Sequence, residues 1–135
     1  MTSLIAAGSF ASTSHGAPLP TIRDLVGTIR QRDGVEAAIV LGRDGLLIDG
    51  QSIGSLDAED VAAHIPSIIN AADELGAATA RGTVTTAVLE HANGMAIVSV
   101  LSDDAVLLVL LTPGADLGPL LYELRRNRGL LATLV

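Results

Sequence analysis

The sequence predicts an α+β domain in the order helix, two strands, helix, three strands, helix (α-β-β-α-β-β-β-α). Three observations predict it. Apolar residues recur at helical spacing in three segments, opening near Ile22, Val61 and Leu117. Between them lie short runs rich in Val, Ile, Leu and Thr. Those runs are separated by Asp-Gly, Asn-Gly and Ser-Asp-Asp turn signals rather than by helical crossovers. The strands therefore form a hairpin and a three-stranded antiparallel meander. Helices cover both faces, giving a two-layer or three-layer domain.

Each element has a local reason. Thr21-Ile22-Arg23-Asp24 fits a capping box, with a carboxylate three residues after the cap. Ile22, Leu25, Val26 and Ile29 then keep helical spacing, so the first helix is expected over Ile22–Arg32, with Gly34 as its end. Val35–Leu41 reads as a strand, Gly42-Arg43-Asp44-Gly45 as a turn, and Leu46–Gln51 as the returning strand. Asp-Gly between apolar runs is the strongest short-range hairpin signal. Ser55 to Asp57 caps the second helix, and Glu59 and Asp60 favour its N-terminal end. Val61, Ile65, Ile68, Ile69, Ala72 and Leu75 form its stripe. Gly76 is the expected stop, and Pro66 is expected to bend the helix.

Thr83–His91 begins the meander. Asn93-Gly94 turns it into Met95–Leu101, and Ser102-Asp103-Asp104 turns that into Ala105–Leu111. The last run, AVLLVLL, is apolar on both faces, so both faces should be covered. Pro113-Gly114 breaks the chain. Asp116 then caps a final helix striped by Leu117, Leu120, Leu121, Leu124, Leu131 and Leu134.

Composition narrows the function. A chain of 135 residues is one domain's worth. Met1–Leu19 is rich in Ser, Gly, Ala and Pro and lacks a basic leading segment, so it reads as a flexible tail and the domain as residues 20–135. Hydrophobic residues make up 49%, with one Phe, one Tyr and no Trp, so the core is aliphatic and base-stacking platforms are excluded. A net charge of -7 argues against nucleic-acid backbone binding. No apolar run approaches the ~18 residues of a membrane span. The absence of Cys excludes disulfides, thiolate zinc sites and Cys nucleophiles, and fits a cytoplasmic location.

All eight basic residues are Arg, which excludes Schiff-base lysines and the P-loop lysine. His-Glu-x-x-His and Gly-x-Gly-x-x-Gly do not occur. His15, His64 and His91 are not spaced as a metal set within one element. No catalytic residue, cofactor or metal is expected. Asp103-Asp104 and Arg43-Asp44 read as turn chemistry. Arg125, Arg126 and Arg128 complement a helix C-terminus and read as a solvated face.

Two features point instead to association. Thr83–His91 alternates cleanly and carries no Lys or Pro to discourage pairing at a sheet edge. The second helix carries Ala62, Ala63, Pro66, Ser67, Asn70 and Ala71 beside its Ile stripe, and small residues allow a second helix to approach closely. Alanines are also simply good helix formers. The two features together predict a two-fold dimer through Ala63, His64, Ser67, Asn70 and Ala71 on the helix and Thr83, Thr85, Ala87 and Leu89 on the strand.

The segments GVEAAIVLGRDGLLIDG (Gly34–Gly50), LDAEDVAAHIPSIINAADELG (Leu56–Gly76) and HANGMAIVSVLSDDAVLLVLL (His91–Leu111) carry a resemblance. In order of elements and turn positions the chain resembles the Roadblock domain, the family of dynein light chains and bacterial MglB-like proteins, from Thr21 to Val135. The resemblance implies a profilin-like fold, with a five-stranded antiparallel sheet and helices on both faces. It implies a non-enzymatic homodimer, or a dimer with another Roadblock chain, in which the strand Thr83–His91 and the second helix pair with their copies. It implies a small Ras-like GTPase as partner, bound or activated. Arg43, Glu59 and Arg81 are then the residues nominated for partner contact. A structural scaffold in a larger complex, or a PAS- or profilin-like small-molecule sensor, are the other functions such a fold serves.

Overall fold

The computed structural model describes residues 21–135; the tail expected over Met1–Leu19 lies outside them. The order is α1 (Ile22–Arg30), β1 (Val35–Gly42), β2 (Leu47–Ser52), α2 (Ala58–Ala63), α3 (Ile65–Ala78), β3 (Thr86–His91), β4 (Gly94–Val100), β5 (Ala105–Leu111), α4 (Leu117–Arg126) and α5 (Arg128–Ala132). The five strands form one antiparallel sheet in the order β2-β1-β5-β4-β3. The chain therefore has the α+β class, the five strands and the antiparallel pairing that its sequence predicts.

The position of β5 follows from its composition. A strand apolar on both faces belongs in the middle of a sheet, and β5 lies between β1 and β4 with its residues almost all buried. Alternate residues of the sheet feed two cores. Ala38, Val40, Ile97, Leu107 and Val109 pack beneath α1, α4 and α5 with Leu25, Ile29, Leu120 and Leu124. Ile39, Leu41, Val98, Val106 and Leu108 pack beneath α2 and α3 with Ile65 and Ile69.

The first helix starts where its capping box requires. The Asp24 N–H donates to Thr21 Oγ1 at 3.2 Å, and the Thr21 N–H donates to Asp24 Oδ2 at 2.9 Å. The β1–β2 turn is a three-residue loop: the Gly45 N–H donates to Gly42 O and the Gly42 N–H to Leu46 O. Gly45 sits at φ +91°, the left-handed position that such loops give to glycine.

Three expectations need correction. The second helix is two helices rather than one bent helix. It breaks at His64, with Pro66 in the first turn of α3, because a proline ring cannot coexist with the helical carbonyl four residues before it. Gly76 does not end α3, which runs to Ala78. The end is a Schellman turn in which the Arg81 N–H donates to Gly76 O at 2.7 Å and the Ala80 N–H to Ala77 O, with Ala80 at φ +58°. The last helix likewise breaks at Asn127 into α4 and α5.

Candidate protein interaction site

The sheet has two edges, β2 and β3, and they differ. On the β3 side, the Val100 N–H donates to Thr85 O at 2.9 Å. In an antiparallel ladder such bonded pairs recur at every second residue. Thr85, Ala87, Leu89 and His91 therefore turn their backbone toward β4. Thr86, Val88 and Glu90 turn theirs away from β4, unpaired among the described residues and without a Lys or Pro among them.

The β2 edge is blunted. A register shift interrupts its pairing between Val40 and Leu41. By the same alternation, set by the Ile53 N–H to Glu36 O bond, Gly50 and Ser52 face outward. The Gly50 N–H is already donated to Asp49 Oδ1 at 2.8 Å. Asp49 is in turn 3.6 Å from Arg23 on α1. An incoming strand would have to displace these contacts.

Next to β3 lies the outer face of α3. Ala63, His64, Ser67, Asn70, Ala71, Glu74, Leu75 and Ala78 are all exposed there. At 100° per residue the α3 members of this set fall within one arc opposite the buried Ile65 and Ile69. Most are small and one, Glu74, is an acid. Of the helix residues nominated for a dimer, Ser67, Asn70 and Ala71 thus share one exposed arc of α3, while Ala63 and His64 are exposed at the break that precedes it.

The strand residues divide differently. Thr83 and Thr85 precede β3 rather than belonging to it, because the strand begins at Thr86. Ala87 and Leu89 lie over the core beneath α3. Val84 joins them there instead of continuing the alternation with Thr86 and Val88. Its N–H leaves the sheet and donates to Asp73 Oδ1 at 2.7 Å.

Asp73 links the parts. Its Oδ2 accepts from Arg43 Nη2 at 3.1 Å while its Oδ1 holds Val84. The β1–β2 turn, α3 and the start of β3 therefore meet on one carboxylate. Arg43 does not pair with its neighbour Asp44, whose Oδ1 caps the Leu46 N–H. The turn is also tied to the β4–β5 turn by the Arg43 N–H to Asp104 O bond. A second clamp lies one turn along α3. A Cβ on Gly76 would stand 1.8 Å from the carbonyl oxygen of Gly82, so the connection to β3 crosses α3 at backbone contact.

Of the other nominated residues, Glu59 is exposed on α2. Arg81 is exposed at the end of α3, where its Nη1 donates to Thr79 O. Arg128 is not part of a solvated face. Its Nη2 donates to Thr86 Oγ1 at 2.6 Å and to Thr85 O at 3.3 Å, which holds α5 against the start of the open edge. One motif escaped the enzyme templates. Gly50-Gln51-Ser52-Ile53-Gly54 has the Gly-x-Ser-x-Gly spacing. Ser52, however, ends a sheet-edge strand and no histidine among the described residues is hydrogen-bonded to it, whereas a nucleophile elbow needs a strand-to-helix turn and a base. Among the described residues, no group of three or more His, Asp or Glu is placed to hold a metal ion, and no helix is long and apolar enough to cross a membrane.

The fold and the match of residues 21–111 to the Roadblock/LC7 domain model decide the family. The chain belongs to the Roadblock/LC7 family. An uncharacterized protein of Methanocaldococcus jannaschii is 30% identical over 98 residues, covering 73% of this chain and 85% of its own length. Among solved structures, the gliding protein MglB of Thermus thermophilus superposes with a TM-score of 0.75 at 15% identity, over 83% of this chain and 86% of that one. A Roadblock/LC7 domain from Streptomyces avermitilis superposes with a TM-score of 0.71 at 23% identity, over 84% of this chain and 93% of that one.

Proposed function

We propose that this Roadblock chain is a non-enzymatic regulator that works as a two-fold dimer and binds a small Ras-like GTPase, its domain spanning residues 20–135. The observation that carries the dimer is the continuity of the open β3 edge with the small-residue face of α3. A two-fold axis at Val88 sets Val88 opposite Val88 of the second copy and Thr86 opposite Glu90 of the second copy. All three are outward-facing residues, so each pair exchanges both backbone bonds. The same axis brings Ala63, Ser67, Asn70 and Ala71 against their copies, an isologous contact.

The GTPase reading is supported by family membership and by the likeness to MglB structures. In the dimer, two copies of α2 and α3 make one platform, flanked by the exposed Glu59 and Arg81. These two are the partner contacts proposed. Arg43 serves its own chain through Asp73, and its proposed role is to hold the platform in shape. A platform of this kind acts by favouring one conformation of the GTPase switch segments over the other.

The test is light scattering of the purified protein alone and with a Ras-like GTPase from the same source, loaded with GDP or a GTP analogue. Two chains with one or two GTPases, favoured by one nucleotide, is the expected result. A dimer indifferent to both forms removes the GTPase from the reading and leaves a scaffold. A monomer removes the dimer.

A further inference from the structure

We propose that Arg128 and Glu90 form a reciprocal ion pair between two copies of this chain, and that the pair fixes the register of the dimer and its preference for a second copy of itself. The pair rests on the two-fold β3 dimer proposed above and adds α5 to its interface. Arg128 opens α5, and its Nη2 donates to Thr86 Oγ1 at 2.6 Å and to Thr85 O at 3.3 Å. Both acceptors are neutral. Among the described residues no carboxylate lies within ion-pair distance of this guanidinium, and its Nε is buried with no hydrogen-bond partner. A partly buried cation held only by neutral oxygens lacks the counter-charge that such groups ordinarily have.

Glu90 is its complement. It is exposed, and its carboxylate takes part in no ion pair among the described residues. Cross-strand partners place both groups on one face of the sheet. Thr86 pairs with Ser99 and Glu90 with Met95, and Ser99 in turn pairs with Leu107, in the core beneath α4 and α5. Thr86, Val88 and Glu90 therefore point to the α5 side. Within one chain Glu90 lies about 13 Å along the strand from Thr86, too far for its carboxylate to meet Arg128.

The two-fold axis closes that gap. With Val88 opposite Val88 of the second copy, Glu90 of the second copy stands opposite Thr86 on the same face, with Cβ atoms about 5 Å apart. Its side chain is long enough to reach a guanidinium already seated on Thr86 Oγ1. The axis repeats the contact, so a dimer has it on both sides of Val88. The pair also chooses among registers. Only an axis at Val88 sets Glu90 opposite Thr86, and an axis at Glu90 would set two carboxylates face to face. A chain of net charge -7 repels its own copy, so an attraction at the seam bears directly on whether copies meet. Another Roadblock chain fits as well only with an acid and a base in the same two places.

The test is sedimentation equilibrium of the full chain as parent, as Glu90→Arg, as Arg128→Glu and as an equal mixture of the two variants. In either variant alone, both attractions become like-charge contacts. At about twofold to fivefold for each attraction lost and each repulsion gained, the dimer should weaken by about 10-fold to a few hundred-fold. In the mixture the introduced arginine of one variant meets the introduced glutamate of the other, and the native Glu90 meets the native Arg128. A heterodimer within about threefold of the parent's affinity is therefore expected. Glu90→Arg protein that dimerises as tightly as the parent overturns the pair and leaves the dimer standing, as does a mixture no tighter than the variants alone. A monomeric parent removes the dimer and the pair with it. Arg128 also holds Thr85 and Thr86, so thermal melts check the fold of Arg128→Glu. If that variant is unfolded, Arg128→Gln replaces it in a double-mutant cycle with Glu90→Gln. The doubly substituted chain should then dimerise no more weakly than the weaker single variant, and additive losses overturn the pair.

Discussion

Val88→Lys tests the open edge most directly. Val88 is the outward-facing residue at the centre of β3 and is 41% exposed. Burying a whole Val side chain is worth about 1.5–3 kcal/mol, so closing its exposed part contributes about 0.6–1.2 kcal/mol per chain, or about 1–2.5 kcal/mol per dimer. Lysine forfeits this and adds a like-charge contact, since residues directly opposite across strands have Cβ atoms about 5 Å apart. Two ammonium groups splayed to about 7 Å repel by about 0.6–2.4 kcal/mol for effective dielectrics from 80 to 20. The sum is about 2–5 kcal/mol, and each 1.4 kcal/mol is tenfold, so dimer affinity should fall between about 30-fold and a few thousand-fold. The folded monomer should keep its stability within about 0.5 kcal/mol, because the position is at the surface. Sedimentation equilibrium over a range of concentrations reads the affinity, and thermal melts read the monomer. Ile48→Lys, at the opposite edge, is the control and should leave the affinity unchanged. A Val88→Lys protein that dimerises as tightly as the parent would refute the β3 axis, and equal weakening by Ile48→Lys would refute the distinction between the edges.

Three further changes probe what holds this surface in place. Asp73→Ala removes the acceptor of both Arg43 and Val84, so it should cost about 1–2 kcal/mol in urea unfolding and speed amide exchange at Val84. Gly76→Ala forces a Cβ against the Gly82 carbonyl at 1.8 Å, where only backbone can yield, so it should cost about 1–3 kcal/mol and loosen the dimer as well as the fold. Unchanged affinity in that variant would separate the α3–β3 crossing from the interface. Ser99→Ala should be neutral or stabilising by up to about 1 kcal/mol in thermal melts, because Ser99 Oγ is buried with no hydrogen-bond partner among the described residues and its residue is 1% exposed.

What the sequence made legible was local. Periodicity, the Thr21–Asp24 box, the Asp-Gly turn and the doubly apolar β5 are each decided within a few residues, and each is where the pattern puts it. What it hid depends on distant neighbours. Gly76 has the look of a helix stop, and only the crossing of Gly82 shows that its role is to admit another backbone. Arg43 sits beside Asp44, yet its partner is thirty residues away on α3. The alternation over Thr83–His91 suggests a strand three residues longer than β3, because Asp73 draws the Val84 N–H out of the ladder. The doubly apolar composition of β5 marks it as a central strand, but that its second neighbour is β1, about seventy residues earlier in the chain, is a pairing no local signal states.

The two edges explain why one surface of this domain is open. An open sheet must answer for unpaired backbone on both sides. At β2 the answer is internal: a register shift, a carboxylate turned onto its own backbone, and helices α1 and α2 packed alongside. At β3 no comparable device stands among the described residues. The neighbouring contacts do something different there. Asp73 fixes Val84, Gly76 admits Gly82, and Arg128 fixes Thr85 and Thr86, so the strand's position is set relative to α3 and α5 while, among the described residues, its outer backbone is left unpaired. Positioning an edge this firmly without covering it makes sense if a second chain covers it. It also means that substitutions buried behind the edge, at Asp73 or Gly76, should reach the dimer without touching it.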